Sequence, residues 1–124
     1  MAGIRVHRSI AGNLQALLSA AAAAGFRLSG SGYRDSSAQI ALRRAHCGPT
    51  QYDIYQKPAS LCSPPTAIPG RSMHERGLAV DFTSGGVLIR SQADPAFRWL
   101  AANAGRFGLR NLPSEPWHWS TNGT

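Results

Sequence analysis

The chain has 124 residues, which is enough for one domain with a single hydrophobic core and too few for two ordinary domains. A hydrophobic fraction of 43% excludes a disordered protein, and no apolar run is long enough to cross a bilayer. The formal net charge of +7 favours anionic partners. The arginines neither cluster nor alternate with aromatic residues, so we expect no nucleic-acid partner.

The first half of the chain predicts two helices and a strand. Apolar residues recur at helical spacing over 10–24, and residues 26–29 alternate like a short strand. A second helix is expected over 35–44, where Ser36 and Gln39 have the spacing of a capping box. The inward face of the first helix is predicted to consist of Ile10, Leu14, Leu17, Leu18 and Ala21.

The second half begins with a segment rich in proline. Five prolines lie between Cys47 and Gly70, which argues against regular structure and favours a functional loop. The elements expected after it are two strands, a helix and a last strand, over residues 78–82, 87–90, 95–104 and 116–120. The predicted inward face of that helix is Phe97, Leu100, Ala101 and Ala104, with Gly105 as its stop. The predicted class is α+β, with a small, mainly antiparallel sheet and flanking helices.

Cys47 and Cys62 are the two cysteines of the chain, and their spacing fits neither a zinc ribbon nor a Cys-x-x-Cys motif. We expect a disulfide between them, which would stabilise the fold by about 3 kcal/mol, in preference to two reduced thiols. A disulfide implies an oxidising, extracytoplasmic setting.

The start of the chain lacks the apolar region of a signal peptide. We therefore expect a single domain, residues 1–124, cut from a longer secreted protein whose signal lies outside this sequence.

Three side chains form a candidate metal site, since His74 precedes a predicted strand, Asp81 lies near its end and His118 lies on the last strand. Two imidazoles and one carboxylate suit zinc, and a catalytic zinc leaves its fourth position to water. Glu115 lies three residues before His118, where a carboxylate can take a proton from an attacking water. The alternatives are a turn cap for His74, a satisfied buried carboxylate for Asp81 and a hydrogen-bonded core histidine for His118.

Three sequence segments carry a family resemblance. Ser72-Met-His74-Glu-Arg-Gly77-Leu-Ala79-Val-Asp81 resembles the Ser-x-His-x-x-Gly-x-Ala-x-Asp signature of the D-alanyl-D-alanine carboxypeptidase family related to VanY. Glu115-Pro-Trp-His118 resembles that family's Glu-x-x-His motif. The segment Ser31-Gly-Tyr-Arg34, followed by Gln39, is similar to the family's substrate-binding entry. The resemblance extends from about Gly25 to Ser120, and the family consists of zinc peptidases of the M15 and LAS type.

The resemblance implies a zinc site in a cleft on the sheet, in a fold shared with hedgehog-type signalling domains. It implies that His74, Asp81 and His118 hold Zn²⁺ and that Glu115 is the general base.

It also implies that Arg34 stabilises a substrate carbonyl or carboxylate, and that Ser72 and Gln39 bind substrate. A surface salt bridge is the alternative for Arg34, and helix or turn caps are the alternatives for Ser72 and Gln39.

Three other residues of these motifs have expected structural roles. Gly77 is expected to adopt a backbone conformation that a side chain disfavours. Glu75 falls on a variable position of the signature, so we expect a solvated turn residue or a partner of the site, and no catalytic acid. Trp117 is expected to pack in the core, with a place in the cleft lining as the alternative.

The expected activity is hydrolysis of the terminal D-Ala from peptidoglycan stem peptides by a monomeric domain outside the cytoplasm. The same resemblance allows a D,D-dipeptidase, an L,D-carboxypeptidase or an endopeptidase that cuts L-Ala–D-Glu bonds, with the 47–70 loop shaping the choice. A different alternative is a non-catalytic wall-binding module that keeps a structural zinc.

Overall fold

The fold is known from a computed structural model that describes residues 3–124. The helices are α1 (Arg8–Ala23), α2 (Ser36–Cys47), α3 (Gln51–Tyr55) and α4 (Pro95–Asn103). The strands are β1 (Leu28–Ser31), β2 (Ala79–Ser84), β3 (Val87–Leu88), β4 (Arg110–Leu112) and β5 (Glu115–Ser120). Short 3-10 helices cover Ala59–Leu61, Met73–Arg76 and Ala104–Phe107. Among residues 3–124 no helix combines the length and apolar character that a membrane crossing requires.

The five strands form one sheet whose pairings are antiparallel throughout. The strand order is β1-β2-β5-β4, and β3 pairs with the end of β2. Alternation along β2 sends Val80 and Phe82 into the hydrophobic core and Asp81 to the other face. The α+β class with a small antiparallel sheet is confirmed, and the face away from the core is left to carry polar groups.

Helices α1 and α4 pack buried residues into the same hydrophobic core as β2. Four of the five predicted α1 residues are buried, and Leu18 is partly buried at the edge of the core. In α4 the prediction for Ala101 is wrong, because Ala101 is exposed and Ala96 is buried. Ala96, Leu100 and Ala104 lie four residues apart, so they share one face and Ala101 falls beyond its edge.

The expected stop at Gly105 is also wrong. The chain continues after α4 as a 3-10 turn, which ends at Gly108 with a φ of 78°.

Two boundaries near α2 differ from the prediction. The first strand lies at Leu28–Ser31, two residues later than expected. The predicted capping box of Ser36 and Gln39 is wrong, because Asp35 is the N-cap and its carboxylate accepts from the Ala38 backbone N–H at 2.8 Å. Asp35, Ser36 and Ser37 are all good capping residues, and the extended backbone of Asp35 decides between them.

The proline-rich segment is more ordered than its composition predicts. Helix α3 lies within it, with a capping box between Thr50 and Asp53 at its start. Cys47 and Cys62 form a disulfide that joins the end of α2 to the residue after the 59–61 turn. The segment is therefore a structured part of the fold with its own covalent anchor.

Candidate active site

Asp81 and His118 come together through the sheet register. They are direct partners in the β2–β5 pairing, so both side chains stand on the face away from the core. Asp81 Oδ1 lies 3.1 Å from His118 Nδ1.

His74 reaches the same point from a short 3-10 helix. Ser72 caps this helix and Gly77 ends it with a φ of 70°. A Cβ added to Gly77 would lie 2.7 Å from the His7 backbone nitrogen, so the expectation for this glycine is confirmed. His74 Nε2 lies 2.9 Å from Asp81 Oδ1 and 3.2 Å from His118 Nδ1.

Hydrogen bonds on the far side of each ring select the histidine tautomers. His74 Nδ1 donates to the Gly32 carbonyl at 2.7 Å, and His118 Nε2 donates to the Thr124 carbonyl at 2.7 Å. In the neutral rings this leaves His74 Nε2 and His118 Nδ1 without protons. Two nitrogen lone pairs and a carboxylate oxygen then converge on one point, which favours a cation between them.

The donor set fits zinc. The three ligand atoms all lie within 4.8 Å of one another. His74 and His118 are buried and Asp81 is largely buried, so the groups are held in place by their surroundings. Two imidazole nitrogens and one carboxylate oxygen are zinc ligands and leave a fourth position open.

The Asp81 carboxylate is strongly favoured in its charged form. Burial opposes ionisation, but the hydrogen bonds that His118 and His74 donate when their rings are protonated outweigh it and lower the pKa of Asp81 to about 2. Asp81 is therefore an anion at neutral pH, as a metal ligand must be.

Glu115, the first residue of β5, borders the same group. Its Oε1 lies 3.9 Å from His118 Nδ1, beyond hydrogen-bond distance. Burial raises the pKa of Glu115 above its ordinary value, against the opposing effect of His118. Glu115 thus lies beside the three candidate ligands without being one of the converging group.

Arg34 and Gln39 form a connected pair at the site. An Arg34 guanidinium N–H donates to Gln39 Oε1 at 2.9 Å, and the other terminal nitrogen lies 3.6 Å from Asp81 Oδ2. Gln39 is buried and its amide nitrogen donates to the Ala67 carbonyl at 2.8 Å. Both polar atoms of Gln39 are thus engaged within the protein, so its geometry suits holding Arg34 in place.

Ser72 and Glu75 organise the turn that carries His74. Ser72 Oγ accepts from the His74 backbone N–H at 3.2 Å, which is the capping role considered as its alternative. The Glu75 carboxylate accepts from the backbone N–H groups of Gly70 and Ser72 and from the Ser36 hydroxyl. Glu75 is therefore a partner that stabilises the turn carrying His74.

A cleft of about 970 Å³ opens over these groups. It is lined by all seven predicted residues: Arg34, Gln39, Ser72, His74, Asp81, Glu115 and His118. The prediction for Trp117 is wrong, because Trp117 is only partly buried and lines the cleft. The core position on this strand is taken by Trp119, which is 3% exposed.

Sequence reasoning missed two residues of this region. His46 lines the cleft and hydrogen-bonds to the Thr66 hydroxyl at 2.7 Å. Arg43 is completely buried on α2. Arg43 lies one turn after Gln39 on α2, and His46 lies about two turns after it. Residues four and seven apart share a helix face, and this spacing was the available signal.

Solved structures of carboxypeptidases share this fold. A mutant of the vancomycin resistance D,D-pentapeptidase VanY from a VanB-type resistance cassette, in complex with Zn(II), matches with a TM-score of 0.72 and 32% identity over 95% of this chain and 73% of the other. VanYB in complex with D-alanine-D-alanine matches with a TM-score of 0.71 and 29% identity over 95% and 72%. An L,D-carboxypeptidase DacB from Streptococcus pneumonia gives a TM-score of 0.67 and 27% identity over 94% and 66%. The chain therefore shares the fold of these peptidase structures, and its His74–Asp81–His118 group lies in the cleft.

The family follows from sequence comparison. The VanY family model, described as D-alanyl-D-alanine carboxypeptidase, matches residues 3–124, so the chain belongs to that family. A curated relative, the D-alanyl-D-alanine carboxypeptidase of Enterococcus faecalis (strain ATCC 700802 / V583), is 33% identical over 131 residues that cover 94% of this chain. This chain spans 48% of the length of that relative. The family resemblance seen in the sequence is confirmed.

Proposed function

We propose that this chain is a zinc-dependent D,D-carboxypeptidase domain that releases the terminal D-Ala from peptidoglycan stem peptides. The observation that carries the proposal is the convergence of His74, Asp81 and His118 on one point, with Glu115 beside them in an open cleft. Relatives described as a Zn(II) complex and a D-alanine-D-alanine complex support the same assignment.

His74 Nε2, Asp81 Oδ1 and His118 Nδ1 would hold the zinc. Bound zinc supplies Lewis acidity, which makes water a competent nucleophile near neutral pH and polarises a carbonyl. The carbonyls of Gly32 and Thr124 hold the two rings in the orientation and tautomer that ligation needs.

Glu115 is the proposed general base. Its carboxylate accepts a proton from the attacking water and returns it to the amine of the departing D-Ala. A position 3.9 Å from the nearest ligand nitrogen keeps Glu115 close to the reacting atoms while leaving its oxygens available for the proton.

Arg34 is the proposed anchor for the substrate's carbonyl or carboxylate. Gln39 holds one guanidinium nitrogen and orients the group toward the cleft. Arg71 and Arg90 also line the cleft, whereas Asp81 and Glu115 are its only acidic side chains among residues 3–124. This balance favours a substrate that carries negative charge, as a stem peptide does. Ser72 also lines the cleft, and its hydroxyl is the proposed second contact to the terminal carboxylate.

The setting proposed for the domain is extracytoplasmic, because the Cys47–Cys62 disulfide persists where thiols are oxidised. We also propose that residues 1–124 act as one monomeric domain of a longer protein. The positive net charge would hold it near anionic wall polymers.

A second candidate is L,D-carboxypeptidase activity. The likeness to the L,D-carboxypeptidase DacB, at 27% identity and a TM-score of 0.67, favours it as the nearest alternative. The two activities differ in the residue that precedes the scissile bond, so the walls of the cleft decide between them.

Mass spectrometry of muropeptides digested by the zinc-loaded protein tests the proposal. Pentapeptides that lose one D-Ala, with tetrapeptides left intact, support the D,D-carboxypeptidase. Conversion of tetrapeptides to tripeptides would instead assign the L,D activity. Loss of a dipeptide or cutting inside the stem would contradict both, and uncleaved peptides with bound zinc would indicate a wall-binding module.

A further inference from the structure

Helix α2 presents a polar stripe to the rest of the protein. Its buried residues are Gln39, Arg43 and Cys47, which follow one another at intervals of four residues. In the described part of the chain, no residue of α2 belongs to the main hydrophobic core. The stripe attaches the helix to the 51–67 segment by hydrogen bonds and a disulfide.

Arg43 lies at the centre of this stripe. Its side chain has 0% exposure. All five N–H groups of its guanidinium find acceptors. The acceptors are Ile54 O for Nε (2.9 Å), Thr66 O and Cys62 Sγ for Nη1 (2.7 and 3.4 Å), and Asp53 O and Lys57 O for Nη2 (2.7 and 2.6 Å).

This cation is held by carbonyl dipoles. Within residues 3–124, no carboxylate lies in ion-pair range of Arg43. Burial lowers the pKa of Arg43, and the more distant Asp53 carboxylate opposes that effect. Burying a charge this way is costly, and an apolar side chain would fill the same space at a lower desolvation cost. The guanidinium also orients its partners, because its planar fork binds several acceptors at fixed positions.

The residues that Arg43 fixes bound one wall of the cleft. We define the 59–67 wall as the cleft-lining residues of that segment, namely Ala59, Ser60, Ser63, Pro64, Pro65, Thr66 and Ala67. The Lys57 carbonyl lies just before this wall and the Thr66 carbonyl lies near its end, so Arg43 holds both sides. Two other residues of α2 also hold the end of the wall at Thr66 and Ala67. Gln39 donates to the Ala67 carbonyl, and His46 forms a hydrogen bond with the Thr66 hydroxyl.

We propose that Arg43 is a positioning residue that sets the shape of the 59–67 wall and thereby the affinity for the peptide that precedes the scissile bond. It contacts neither zinc nor substrate, and it acts through the carbonyls it binds. The inference rests on the proposed peptidase function, because it assigns the wall a role in binding the stem peptide.

The test compares Arg43→Lys with Arg44→Lys in the purified, disulfide-intact, zinc-loaded protein. Lysine keeps the charge but offers three N–H donors in place of five. Arg44 is the adjacent, exposed arginine and serves as the matched control. The readouts are zinc content, hydrogen–deuterium exchange over residues 53–67, and kcat and KM for a stem pentapeptide and for the acetylated dipeptide D-Ala-D-Ala.

In Arg43→Lys we expect unchanged zinc content, faster exchange over 53–67 and a KM for the pentapeptide raised roughly fivefold to tenfold, with kcat nearly unchanged. The dipeptide KM should change less, because the dipeptide lacks the residues that meet the wall. Arg44→Lys should match the wild type. Unchanged exchange, an unchanged pentapeptide KM, or a fall in kcat alone would overturn the inference.

If Arg43→Lys does not fold, Thr66→Val decides, since it removes the hydroxyl that His46 holds and leaves Arg43 in place. A raised pentapeptide KM in Thr66→Val supports the wall's role, and an unchanged one overturns it. If the wild type cleaves no peptide, the proposed function fails, and the exchange data alone decide whether Arg43 positions the wall.

Discussion

Asp81 and His118 are direct partners across the antiparallel strands β2 and β5, and the register that pairs them also sends their neighbours Val80 and Trp119 into the core. The candidate metal site and the core thus lie on the two faces of the same strand pair. A shift of one residue would exchange the two faces, so burial of the core side chains keeps the candidate ligands aligned.

Replacing His118 tests this ligand assignment. We expect His118→Ala to lose the zinc that the wild type binds at about one ion per chain. Added zinc should raise the melting temperature of the wild type and leave that of the variant unchanged. When free zinc is 100 times Kd, the free energy of unfolding of the wild type should rise by about 2.7 kcal/mol. His46→Ala is the control, because His46 lies in the same cleft but outside the converging group. A full zinc complement in His118→Ala would refute the assignment.

Replacing Arg34 tests the substrate anchor. Arg34→Ala should lower kcat/KM by about 10²-fold, because it removes a charge-assisted contact that the developing negative charge needs. Zinc content should stay at the wild-type level, and the exposed Arg76→Ala should leave kcat/KM unchanged. Steady-state release of D-alanine measures this, and wild-type kinetics in Arg34→Ala would rule out the role.

The disulfide makes a separate contribution to stability. Replacing Cys47 and Cys62 by serine should lower the free energy of unfolding by about 3 kcal/mol, because the bond closes a loop of 15 residues in the unfolded chain. Urea denaturation measures the change, and reduction of the wild type should give a similar loss. A difference below roughly 1 kcal/mol would mean that the buried hydrogen bonds of Arg43 hold the segment without the covalent bond.

The N-cap residue Asp35 should make the free energy of unfolding depend on pH. The Ala38 backbone N–H and the Ser37 hydroxyl donate hydrogen bonds to its carboxylate and hold the pKa of Asp35 below the ordinary value. The stabilisation is therefore present above the unfolded-state pKa, near pH 4, and is lost as the pH falls through the lower folded-state pKa.

In Asp35→Asn, which keeps a capping oxygen without a titrating group, this part of the acid destabilisation should disappear. Urea midpoints between pH 6 and pH 3 measure it. Identical pH profiles for wild type and variant would contradict the capping role.

The residues of the site were predictable because their chemistry is local in sequence. His74 and Asp81, and likewise Glu115 and His118, stand at the spacings of the two motifs that the chain resembles, and the sheet only had to bring the two segments together. The hydrogen bonds that select the tautomers were not predictable. They use the carbonyls of Gly32 and Thr124, and a backbone carbonyl carries no sequence signal.

The errors fall where tertiary contacts override composition. The prolines of the 47–70 segment suggested an irregular loop, whereas Arg43 binds the carbonyls at the end of α3 and orders the segment. An arginine between Leu42 and Arg44 looks like any solvated helix residue, and its spacing of four residues from Gln39 is the one weak signal of its complete burial. The Ser36 prediction failed for a smaller reason, since three adjacent residues are all able to cap α2 and backbone geometry selects Asp35.

The most direct test of the central claim is zinc content and D-alanine release measured side by side for the wild type and Glu115→Gln. We expect about one zinc per chain in both proteins and a kcat at least about 10²-fold lower in the variant, because only the proton-accepting carboxylate is lost. A Glu115→Gln protein that binds zinc and turns over at the wild-type rate would contradict the assignment of Glu115 as the base.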